Sequence, residues 1–118
     1  MTEVRRVKVA VATNGDKGLD DEISEVFGKT KTFTLVEIED GRIKDVRVIK
    51  NPGADFRYGS GPIAAKTLID EKVEVVIASE VGPNVTSILS DREIRIITVA
   101  PRRKVQEVIQ ELINEGKL

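Results

Sequence analysis

The chain has no cysteine, no histidine and no tryptophan. Without cysteine there is no disulfide, no thiolate nucleophile and no thiolate ligand for zinc or an iron–sulfur cluster. Without histidine the usual general base is missing, together with any Ser-His-Asp arrangement and every imidazole metal ligand. Aromatic residues are scarce: Tyr58 is the single tyrosine, beside three phenylalanines, which leaves no stacking platform for nucleic acid. Neither sign of charge dominates, with 19 Lys and Arg against 20 Asp and Glu for a net charge of -1. That balance leaves no electrostatic footprint for nucleic acid. No run approaches the roughly 18 apolar residues of a membrane span, and MTEVRRVKV has no signal-peptide core. The expectation is a cytoplasmic protein with neither a membrane nor a nucleic-acid partner.

What is present suits one core. The 118 residues are 40% hydrophobic and 33% charged, and a chain of this size buries roughly two-thirds of its unfolded surface. A single domain over residues 1–118 is expected. VKVAVAT (7–13) reads as a strand, apolar on both faces and therefore central. Asp20-Asp21 begins a short turn that carries Ile23, Val26 and Phe27 inward. Strands over 31–38 and 42–50 flank Asp40-Gly41, a strong hairpin signal. A glycine-rich loop, NPGADFRYGSGP (51–62), leads to a helix with Pro62 at its first position. Short strands at 74–78 and 94–99 alternate with a second helix opening at Gly82-Pro83-Asn84. A third helix carries Val105, Val108, Ile109, Leu112 and Ile113 as one apolar stripe. The order predicts an α/β fold with a mixed five-stranded sheet, 3-2-1-4-5, an antiparallel edge hairpin and helices on its faces.

In such a sheet, ligands bind outside the carboxyl ends of the parallel strands. Asn14 and Gly15 follow the first strand, and Gly82 and Asn84 open the second helix, whose free amides suit an anion. Arg57 and Tyr58 stand in the glycine-rich loop, with Gly59, Ser60 and Gly61 leading into the first helix. Cation and helix end together form an anion clamp. The alternative is that these glycines only make turns and that Phe56 and Tyr58 pin the loop to the sheet. The carboxylates Asp16, Asp20, Asp21, Glu22 and Glu25 lack calcium-loop spacing and read as a solvated face with a cap. Arg102-Arg103-Lys104 reads as a solvated basic run. High Glu, Lys and Arg content without cysteine fits a thermophilic source.

GLDDEISEVFGK (18–29), NPG (51–53), the GSGP of Gly59 to Pro62 and VVIASEVGPN (75–84) together resemble the dinitrogenase iron-molybdenum cofactor biosynthesis family, over nearly the whole chain. The resemblance implies a ribonuclease H-like fold. It also implies a non-enzymatic carrier or binding role for iron-molybdenum cofactor, an iron–sulfur precursor or another anionic small ligand. Relatives commonly bear histidine in the loop before GxGP, where Arg57 and Tyr58 stand here. A cluster would therefore be held without Cys or His ligands, through backbone amides, Arg57 and helix ends. A regulatory or structural protein partner is the alternative. An enzyme anchoring a small metabolite on Arg57, with Glu80 or Asp16 as base, is the third.

Overall fold

In the computed structural model, which describes residues 3–118, Asp40 and Gly41 both have positive φ, 50° and 75°. That is the backbone of a two-residue hairpin turn. It joins β2 (Thr32–Glu39) to β3 (Arg42–Lys50), with one register shift at Glu37/Ile38. β1 (Arg6–Thr13) lies between β2, to which it is antiparallel, and β4 (Val75–Ala78), to which it is parallel. β5 (Arg95–Thr98) closes the far edge, and the order is β3-β2-β1-β4-β5, as the sequence predicts.

Alternation along β1 divides the core into two layers. Val9 and Val11 face α3 (Val105–Asn114), packing with Val36, Val75 and Ile77 against Val105, Val108, Ile109 and Leu112. Ala10 and Ala12 face the other way, toward α1 (Ser60–Asp70) and α2 (Pro83–Asp91). There they join Phe33, Leu35, Ala64, Ala65, Leu68 and Leu89. Phe27 completes this layer, its ring 5.3 Å from that of Phe33. Lys8 donates to the Glu71 carbonyl at 2.6 Å, and Arg47 pairs with the Glu71 carboxylate, so the carboxyl end of α1 is tied to β1 and β3.

The loops depart from expectation in three places. Val26 is exposed, whereas Ile23 and Phe27 are buried as expected. Residues 52–55 wind into one 3-10 turn instead of an open loop. α1 begins at Ser60, ahead of Pro62, because Gly59 takes a left-handed φ of 73° that turns the chain into the helix. Among the described residues no helix is long and apolar enough to cross a membrane.

Candidate functional site

β1 and β4 are parallel, so their carboxyl ends lie side by side. The space beyond them is filled by the chain itself. Residues 21–24 run antiparallel to the end of β1: Ser24 N–H donates to the Ala12 carbonyl at 2.9 Å, and Asn14 N–H to that of Glu22 at 3.3 Å. On its other side the segment bonds to the connection before α3, through Ile23 N–H to Arg103 O (2.9 Å) and Arg102 N–H to Ile23 O (2.8 Å). Two forces fix it there. Ile23 is completely buried, and the buried Asp21 carboxylate accepts from the Lys17 and Glu22 amides. Asp20-Asp21 therefore does not open the turn as expected: the 3-10 turn is Gly18–Asp20, and Asp21 follows it, buried instead of solvated.

Phe27 N–H then donates to the Glu80 carbonyl at 3.2 Å, which carries residues 26–29 to the α1/α2 side. There a cleft of about 390 Å³ is lined by Val26 to Lys29, Ser60 to Pro62, Glu80 and Gly82 to Val85. Of the predicted site residues, Ser60, Gly61, Gly82 and Asn84 meet in it. Asn14 and Gly15 do not line it; the Thr32 hydroxyl holds the Gly15 carbonyl within a buried cluster of Thr13, Thr30, Thr32 and Thr34. Arg57, Tyr58 and Gly59 precede α1 on the exposed surface, outside the lining, with the Arg57 guanidinium 5.7 Å from the centre of the Tyr58 ring. The cation on the wall is Lys29, whose Nζ donates to the Phe56 carbonyl at 2.6 Å. A hollow of about 540 Å³ at the opposite end of the sheet has mixed charges that include Arg5, Asp40 and Glu74, with no helix N-terminus in it.

Around the cleft, glycine serves two different ends. A Cβ on Gly53 would lie 2.5 Å from the Ser60 carbonyl, one on Gly28 3.0 Å from the Gly61 nitrogen, and one on Gly61 2.7 Å from Val85 Cγ2. Gly28 and Gly53 let backbones touch, and Gly61 lets the Val85 side chain close on the start of α1. Asn51, buried beside them, accepts from the Gly53 amide and donates to the carbonyls of Gly28 and Thr30, each at 2.9 Å. It is the hub of the loop. An Asn before Pro-Gly is an Asx-turn signal, and that was the only trace of this role in the sequence. Gly82 differs. Its φ of -68° and ψ of 162° are open to any residue, and nothing lies within 4 Å of a Cβ placed there. It caps α2 without a side chain, so no cap side chain accepts from the first-turn amides.

No group of three or more carboxylates able to hold a metal forms among the described residues. Glu25 pairs instead with Arg102 at 2.8 Å, and Arg103 with Glu107 and Glu111. Hydrogen bonding to Arg103 holds the Glu111 carboxyl below the ordinary range, and the same contacts raise Arg103. Arg102 and Arg103 of the basic run are therefore compensated within the chain. Glu80 puts one acidic residue on the lining, and the donor set around the cleft is the Lys29 ammonium, the Ser60 hydroxyl, the Asn84 carboxamide and helix-end amides, with apolar walls from Val26, Phe27 and Val85. These groups bind negative charge and apolar surface, and none is a soft metal ligand.

Residues 5–115 match the family described as dinitrogenase iron-molybdenum cofactor. An uncharacterised protein of Methanocaldococcus jannaschii is 28% identical over 116 residues, which are 98% of this chain and 92% of that one. A putative NifB protein from Thermotoga superposes with a TM-score of 0.71 at 29% identity, covering 94% of this chain and 90% of that one. The apo form of the orange protein from Desulfovibrio gigas gives a TM-score of 0.81 at 22% identity, over 93% and 88% of the two chains, and shares the fold.

Proposed function

The chain belongs to the dinitrogenase iron-molybdenum cofactor family, and from that premise we propose that it is a non-enzymatic carrier. Its cargo is an anionic metal–sulfur cofactor, or a small anion of similar shape, docked in the cleft between the amino ends of α1 and α2. The observation that carries this reading is Gly82, a glycine on the cleft lining at the N-cap of α2 that neither backbone conformation nor packing requires, where an added side chain would project into open space. Family membership supplies the class of cargo, and the lining supplies the mode of binding. Amides at two helix ends and Lys29 meet the negative charge, while Val26, Phe27 and Val85 meet the apolar body of the cargo. No bond to metal is made by the chain, so the cargo arrives with its coordination complete and leaves without ligand exchange. Such docking is reversible, as a carrier requires.

Anaerobic titration with isolated iron-molybdenum cofactor, followed by absorbance, tests the proposal. Saturable binding that weakens with salt is expected. Gly82→Val should lower affinity at least tenfold with thermal melting unchanged, and Lys29→Ala should lower it about tenfold, the loss of one charge-assisted bond. Wild-type affinity in a correctly folded Gly82→Val protein would remove the cleft from consideration.

A further inference from the structure

The exposed apolar surface of this protein is unevenly distributed. Among the described residues the large hydrophobic side chains left exposed are Val4, Val26, Phe56 and Tyr58, at 51%, 43%, 49% and 80%. Three of them, Val26, Phe56 and Tyr58, lie on the two segments that meet where Lys29 bonds to the Phe56 carbonyl. The same segments expose Lys29, Lys31 and Arg57 beside Asp55, with Glu25, which pairs with Arg102, and Glu80 flanking them. None of these three cations is in an ion pair among the described residues. A chain of net charge -1 thus gathers uncompensated positive charge around its two exposed aromatic rings.

We propose that the Phe56–Tyr58 tip, with Val26, Lys29 and Lys31 beside it, docks on an acidic protein surface that presents an apolar socket. Phe and Tyr bury large area at small entropic cost, and tyrosine and arginine dominate the energetic centres of protein interfaces. Arg57 is braced against the Tyr58 ring, which presents the cation and the ring as one unit. That bracing also occupies a face of the ring, which disfavours base stacking and selects a protein over a single-stranded nucleic acid. Phe56, Arg57 and Tyr58 lie outside the cleft lining, while Val26 and Lys29 beside them belong to both surfaces, so the variants that separate the two are those at the tip and at Gly82. Gly59, left-handed at φ 73° with nothing within 4 Å of a Cβ placed there, sets the angle at which the tip leaves α1.

A peptide-display library selected against the full chain, with affinities of the enriched peptides measured by fluorescence anisotropy, tests this. The enriched peptides should carry Asp or Glu flanking Leu, Phe or Trp, and raising salt should weaken them. Tyr58→Ala and Arg57→Ala should each reduce affinity at least tenfold with melting unchanged, and Arg57→Glu should shift selection toward basic peptides. Gly82→Val should leave peptide affinity intact, which separates this surface from the cleft. Enrichment without acidic bias, wild-type affinity in Tyr58→Ala, or loss of peptide binding in Gly82→Val would each overturn the proposal. So would binding of a thymidine dodecanucleotide that Tyr58→Ala abolishes.

Discussion

The α3 face of the sheet and the loop junction at the amino ends of α1 and α2 are held together by different kinds of contact. Under α3, branched side chains fill the space between helix and strands: Val9, Val11, Val36 and Ile77 meet Val105, Val108, Ile109 and Leu112. At the amino ends of α1 and α2, main chain meets main chain. Gly28, Gly53 and Gly61 bring loops within contact, and Asn51 satisfies the buried amide and carbonyls between them. The first kind of region tolerates volume-conserving change and fails when volume is lost. The second has no volume to lose, and fails when a methyl or an unsatisfied polar group is added. A site for a cargo belongs in the second, because backbone amides are accessible only where side chains are absent.

Substitutions on each side can break this contrast. The largest loss is expected from Ile109→Ala, about 2–5 kcal/mol in denaturant unfolding, because the side chain is completely buried in the α3 layer. A loss below about 1 kcal/mol would mean that the α3 layer collapses easily around a cavity. Asn51→Ala should follow at about 3 kcal/mol, since it strands buried carbonyls and an amide. Hydrogen exchange in that variant should quicken around residues 51–55 before it does in α3. Gly61→Ala adds a methyl 2.7 Å from Val85 Cγ2 and should cost about 1–2 kcal/mol. Pairing it with Val85→Ala, which makes room for the new methyl, should recover part of that cost in a double-mutant cycle.

The smallest effect is electrostatic. The Arg47 hydrogen bond holds the Glu71 carboxyl below its ordinary range, against partial burial that pushes it up, with the charges of Arg47 and Lys8 adding to the lowering. Its folded value lies below its unfolded one. The contribution is therefore complete above the ordinary carboxylate range and is lost as pH falls through the folded value. Glu71→Gln should flatten the acid limb of the stability curve measured by urea midpoints. An unchanged limb would show that the pair is fully screened.

The same contrast explains what could be read in advance. The α3 stripe, the Asp40-Gly41 hairpin and the strand order follow from periodicity and turn chemistry, which are local. The pairing of Asn14 with Gly82 across an open crevice was expected because both follow strands whose ends adjoin. It does not form, because Ile23 and Ser24 occupy that space through hydrogen bonds to Ala12 and Arg103, and such bonds leave no mark on composition. Gly61 and Gly82 each precede a proline at a helix start, yet only the surroundings of Val85 show that one is packed and the other open. Ser60, Gly61, Gly82 and Asn84 were legible as a group from those two Gly-Pro pairs. Lys29 was not, since its place depends on residues 21–27 first crossing the sheet end.

That crossing segment also sets an order of events. Residues 21–24 are hydrogen-bonded to β1 on one side and to residues 102–105 on the other, the early and late parts of the chain. Closing so long a loop costs entropy that only the assembled sheet can offset. The wall of the cleft that descends from it, Val26 to Lys29, is therefore expected to form late in folding, after β4 and β5 have brought the start of α3 into place, which pulsed hydrogen exchange during refolding would check. Loosening the amino end of α3 would release the far wall of the cleft, although α3 itself packs on the opposite face of the sheet.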